Sequence, residues 1–158
     1  MSTKKDDETK TVLRLLLLLL VIFYATSYIV AMVCAAALNL WDHQPAGDRE
    51  FNAGLIPFWH YEIGVGEGDA ALAVWLSQVF PQLTLLAAIF FLVRSTKHAW
   101  DYSVTVSLLH FVVTCIVTQD APVTWQWWVT LVVATLVVSV ASELLCYFLH
   151  DLKEIEKA

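Results

Sequence analysis

Four stretches of this chain carry no run of charge over the length a helix needs to cross a bilayer, and polar residues collect between them. Residues 15–38, "LLLLLLVIFYATSYIVAMVCAAAL", contain no formal charge. At 1.5 Å per residue they span about 36 Å, enough to cross a hydrocarbon core of about 30 Å with some tilt. Residues 70–93 form a second uncharged stretch of similar reach. Residues 103–118 form a third, about 24 Å long, and 123–149 a fourth, interrupted only by Glu143. Within lipid every backbone donor needs a partner inside its own segment, so these stretches are expected to be helices. The β-branched run "VTLVVATLVVSV" at 129–140 favours a strand in water, and the bilayer overrides that preference. The pattern predicts an all-α membrane protein, four transmembrane helices in a bundle.

A signal-peptide reading of the first stretch meets a length limit. "KKDDETKTVLR" before the leucine run and "CAAALN" after it imitate a cleavable leader, but signal h-regions run about 7–15 residues and this one is longer. The domain expectation is therefore a tail at 1–14, helices at 15–38, 70–93, 103–118 and 123–149, and connections at 39–69, 94–102 and 119–122. A tail at 150–158 closes the chain.

Basic residues near span ends set orientation. Lys4, Lys5, Lys10 and Arg14 precede the first span, Arg94 and Lys97 separate the second and third, and Lys153 and Lys157 follow the fourth. Arg49 alone of the nine lies in a connection on the other side. Both termini and the 94–102 connection are thus expected in the cytosol, and 39–69 in the lumen.

Composition agrees with lipid as the solvent. Of the 158 residues 59% are apolar and 15% charged, against about 25% charged in a soluble domain. The net charge of −6 argues against nucleic acid, whose binding needs a basic face. Cys34, Cys115 and Cys146 lie far apart without a C-x-x-C pair, which supports neither a disulfide framework nor zinc. Cys146, near a span end, is a candidate for palmitoylation.

Several residues invite chemistry. "GVGEGD" at 64–69 imitates a phosphate loop, but it lacks the full G-x-G-x-x-G and the preceding strand, and its acids repel phosphate. Trp41, Phe58, Trp59 and Tyr61 are expected along the headgroup layer, with Trp125, Trp127 and Trp128 as an aromatic belt. Pro122 suits the first turn of the fourth helix, and Pro81 predicts a kink in the second. His110 falls near the middle of its span, where an ionisable residue normally faces the bundle interior. Gln78, Gln82 and Thr84 lie at similar depth, which predicts a buried polar clasp of His110 with Gln78 and Gln82. A proton relay or metal ligation is the sharper alternative, and no carboxylate shares that depth. Glu143 lies about 31 Å from Pro122 along its helix, level with the 94–102 connection. An interfacial ion pair of Glu143 with Lys97 or Arg94 is expected there, and a His110–Glu143 relay is not.

With the spans placed, "DYSVTVSLLH" (101–110), "WW" (127–128), "SELLC" (142–146) and "LKEI" (152–155) form a pattern that resembles the Sys-one family of Golgi four-span membrane proteins. "REFNAGLIPFW" (49–59) resembles that family's lumenal loop more loosely. The chain departs from the pattern at Ser142, where a glycine is expected before the acid. The resemblance implies a Golgi-resident, non-enzymatic receptor. Its partner would be an ARF-related small GTPase, recruited to the trans-Golgi membrane in support of vesicle traffic and protein transport. Expected partner contacts are Arg94, Lys97, Asp101, Glu143, Lys153 and Glu154; beyond the GTPase and the lipid bilayer no cofactor and no small-molecule substrate are expected. The residues alone leave two other classes open: an accessory subunit of a larger membrane complex, and a small transporter or channel component. The transporter would need charges lining a path, for which His110 is the sole candidate. An enzyme is disfavoured because no nucleophile, base and orienting group share one face at one depth.

Overall fold

The computed structural model describes residues 2–40, 53–61, 68–93 and 96–148, with side-chain surroundings for all of these except 2–8, 53, 96–98 and 146. Four helices dominate: α1 (Ser2–Ala37), α2 (Asp69–Leu92), α3 (Thr96–Thr118) and α4 (Trp125–Cys146). A short 3-10 helix, Ala53–Phe58, lies between α1 and α2. All four long helices are apolar enough to cross a membrane, and no strand occurs among the described residues. The β-branched run of α4 is helical, as the solvent argument requires.

Helix ends differ from the uncharged stretches for one reason. Charge marks where lipid stops, whereas helix continues into water as long as propensity allows. So α1 begins at Ser2 rather than at residue 15, and its 36 residues extend about 54 Å. Likewise α3 begins at Thr96, which puts Asp101 on a helix and not in a connection. At the other end Pro122 lies outside α4, whose N-cap is Thr124. Proline cannot fill its expected first-turn place because residues 121–124 are still the turn.

Two core clusters show how the helices run. Leu19 and Phe23 of α1 pack with Leu85 and Ile89 of α2, Tyr102 and Val106 of α3, and Val138 of α4. At the opposite end Ala31, Cys34 and Ala35 of α1 meet Ala70, Ala73 and Val74 of α2, with Trp127 of α4. Early α1 faces late α2, early α3 and late α4, so successive helices are antiparallel. α1 packs chiefly on α2, α2 on α4 and α4 on α3, with α3 closing the ring against α1 and α2.

The helix termini are sharply set. α3 ends at Thr118, and Gln119 takes a left-handed conformation, φ 53°, the usual way of stopping a helix. Gly68 precedes α2 with φ 114° and ψ 171°, a region essentially reserved for glycine. Asp69 then stands in the first turn of α2, where the helix dipole favours an acid. Pro81 lies buried in α2, which runs without a break from Asp69 to Leu92.

Candidate functional site: a polar layer inside the bundle

The segment after the 3-10 helix is folded into the protein. Ile56, Phe58, Trp59 and His60 are all buried. The headgroup-layer expectation thus fails for Phe58 and Trp59, whose rings go inward; Trp41 lies outside the described residues. Polar bonds tie this segment to the α3–α4 turn. The Thr124 hydroxyl donates to the His60 carbonyl at 2.6 Å, and the Tyr61 hydroxyl to Asp120 Oδ2 at 3.3 Å. Asp120 Oδ1 in turn accepts the Ala121 amide at 2.8 Å. Irregular backbone at membrane depth is tolerated only where protein covers it, and the buried run 56–60 satisfies that condition.

Below this plug sits His110, 2% exposed. Its ring lies 5.2 Å from Phe23, 5.9 Å from Tyr24, 6.1 Å from Phe58 and 6.3 Å from Trp127, measured between centroids. Phe58 and Trp127 are close to parallel with the imidazole, at 30° and 24°. α1, α3, α4 and the plug therefore contribute rings to one layer. Trp127 is 0% exposed while Trp125 is 69% exposed, so the predicted aromatic belt loses its middle member. Trp128 keeps an outward place, and its indole N–H donates to the Pro122 carbonyl at 3.0 Å.

Gln78 and Gln82 line the same narrow crevice as His110, with Phe23 of α1 and Thr130, Leu131 and Ala134 of α4. No hydrogen bond joins the three side chains to one another among the described residues. Neither His110 nitrogen has a hydrogen-bond partner among the described residues, nor does either polar atom of the Gln78 amide. Thr84 turns to its own helix, donating to the Pro81 carbonyl at 2.9 Å. What joins the helices is a pair the sequence reading passed over. Gln82 Nε2 donates to Ser107 Oγ at 3.4 Å, and the Thr135 hydroxyl divides between Ser107 Oγ at 2.8 Å and the Leu131 carbonyl at 2.7 Å. This relay links α2, α3 and α4. The available signal was helical spacing: 103, 107, 110 and 114 lie on one face of α3, all polar and all buried.

At the other end of the bundle Asp101 and Glu143 are exposed. The side chains of Arg94 and Lys97 lie outside the described residues, as do Lys153 and Glu154, so the expected ion pair and tail contacts fall there too. Cys146 is likewise outside the described side chains. Ser142 is completely buried and donates to the Ser139 carbonyl at 2.9 Å. A small side chain whose hydroxyl is satisfied within its own helix fits where the family pattern expects glycine.

The arrangement defines a class: a four-span, all-α integral membrane protein whose interior holds a neutral polar layer. Comparison with family models goes further. Residues 2–156 match the SYS1 family, described as an integral membrane protein linking to the trans Golgi network, and the chain belongs to that family. No curated protein and no solved structure matches it. It is thus a membrane protein of the Golgi network, in a family associated with membrane trafficking.

Proposed function

We propose that this protein is a receptor without enzymatic activity that brings an ARF-related small GTPase to the trans-Golgi membrane and so supports vesicle traffic and protein transport. The observation that carries the reading is the family match over residues 2–156, which ties nearly the whole chain to the trans-Golgi network. The geometry is compatible. Receptor work needs a surface outside lipid, and one end of the bundle gathers the α2–α3 connection, exposed Asp101 and exposed Glu143. The receptor surface is assigned there, to Arg94, Lys97, Asp101 and Glu143, with Lys153 and Glu154 of the tail.

The test is recruitment in cells lacking the endogenous protein, using a GTP-locked ARF-related GTPase as the reporter. The double variant Lys97→Glu, Asp101→Lys is expected to stay on the Golgi while the GTPase becomes diffuse. Undiminished GTPase signal on the Golgi would remove this surface from the proposal. Failure of the wild-type chain to recruit the GTPase would remove the receptor reading itself.

A further inference from the structure

Three side chains in the middle of the bundle are buried more deeply than their chemistry tolerates without partners. Gln78 is 5% exposed, Gln82 3% and His110 2%. Both polar atoms of the Gln78 amide, both nitrogens of His110 and Oε1 of Gln82 have no partner among the described residues. A buried donor or acceptor left unpaired costs about 1–3 kcal/mol, so a site with several is poised for a ligand that supplies the missing bonds. These atoms share one crevice: α2 and α3 form its polar wall, Phe23 its floor, and Thr130, Leu131 and Ala134 of α4 its opposite wall.

Charge, depth and access narrow the ligand. No residue lining the crevice carries a formal charge, so a phosphate or ammonium head would lose its hydration with nothing to replace it. His110 lies eight residues from the end of α3, about 12 Å into the span. The Phe58–His60 plug and the α3–α4 turn close the route from that end. The α4 wall is only half-buried, and it is uncharged, with outward-facing Val129, Val133 and Val137 beside it. Entry is therefore sideways, out of the bilayer. The crevice is thin and does not admit a water molecule as packed. To accept a head group the crevice would have to widen, and Leu131 and the Gln78 amide are the lining groups at hand to move.

We infer that this crevice binds an uncharged lipid whose head is a hydroxyl group, a sterol or a diacylglycerol, with the hydroxyl held by Gln78, Gln82 and His110 and the apolar body against α4. A hydroxyl both donates and accepts, which matches a wall that offers an amide nitrogen, amide oxygens and a neutral imidazole. The inference is independent of GTPase recruitment.

The experiment uses the full chain in phosphatidylcholine vesicles with two photoactivatable probes, a diazirine sterol and a diazirine diacylglycerol. At least one probe is expected to label peptides containing residues 78–82 or 130–134, and which one does so identifies the source of the hydroxyl. Gln78→Leu with Gln82→Leu should lower that labelling about tenfold, as loss of about 1.4 kcal/mol of binding does. Because this pair also touches packing, Ala134→Leu provides a second route: it fills the crevice from α4, keeps every polar group and should block labelling equally. Excess unlabelled lipid of the same class should compete, and phosphatidylserine should not. Labelling by neither probe, labelling spread evenly over all four helices, or labelling unchanged in a folded Ala134→Leu protein would overturn the assignment.

Discussion

Trp125 and Trp127 stand two residues apart on α4 and meet opposite surroundings. Two residues correspond to about 200° around a helix, so when Trp127 faces Trp59 and His110, Trp125 must face outward. Composition placed all three tryptophans of this cluster in a belt; periodicity separates them, since 127, 131, 134, 138 and 142 form the inward stripe of α4. The energetic consequence is specific. Trp127→Ala should cost about 3–5 kcal/mol, the range for emptying a buried aromatic site, and Trp125→Ala far less. Reversible unfolding in mixed micelles measures both, and equal losses would contradict the assignment. Backbone conformation gives a second contrast at this scale. Gly68 has no atom within 4 Å of where a Cβ would stand, so Gly68→Ala meets no clash and its cost is backbone strain alone, about 1–3 kcal/mol. Gln119, at φ 53°, should run the other way, with Gln119→Gly neutral or stabilising. The same unfolding assay decides this: a loss of stability in Gln119→Gly and none in Gly68→Ala would invert the reading.

Among elements, the four long helices were legible and the plug was not. Helices announce themselves through length without charge, because lipid imposes that pattern on any chain that crosses it. "AGLIPF" is six residues of ordinary turn composition, and nothing local tells whether Phe58 and Trp59 float at the headgroups or pack inward. The difference lies in partners remote in sequence: Thr124 and Asp120, 64 and 59 residues away from His60 and Tyr61. Impermeant maleimide labelling tests the plug in a chain with Cys34→Ala, Cys115→Ala and Cys146→Ala. Gly54→Cys, at an exposed position, should react readily, and Phe58→Cys, at a buried one, only after detergent unfolding. Thr124→Val in addition should loosen the anchor and bring residue 58 into partial reactivity. Equal reactivity at 54 and 58 in the intact protein would return the segment to the membrane surface. The polar layer was half legible. His110, Gln78 and Gln82 line one crevice and are each visible in the sequence as polar residues within apolar spans, but the relay through Ser107 and Thr135 depends on which α3 face meets α4, and linear spacing does not specify a neighbour.

For the whole molecule the decisive quantity is the number of crossings, since it fixes which surfaces share a compartment. Antiparallel packing of successive helices puts the start of α1, the α2–α3 connection and the end of α4 at one end, with the 53–61 segment and the α3–α4 turn at the other. In sequence, eight of the nine basic residues precede residue 15, fall at 94–97 or follow residue 148, and basic flanks are retained in the cytosol; the end holding the start of α1 and the end of α4 is predicted to be cytosolic. Net charge does not enter the argument, because acidic residues contribute little to orientation. In the same cysteine-free chain, Lys10→Cys and Glu143→Cys should both react with an impermeant maleimide added to the cytosolic face of intact Golgi vesicles. Trp125→Cys and Gly54→Cys should react only when the vesicles are opened. Reaction of Lys10→Cys and Glu143→Cys from opposite faces would mean an odd number of crossings. Glu143 and the start of α1 would then lie in different compartments, which the antiparallel four-helix packing does not allow. Reaction of both from the lumenal face alone would keep the bundle and invert it. The receptor surface would then face away from any cytosolic GTPase, although every helix contact stayed the same. The fold and the receptor proposal are thus separable by one labelling series, and sidedness is the property on which the second depends.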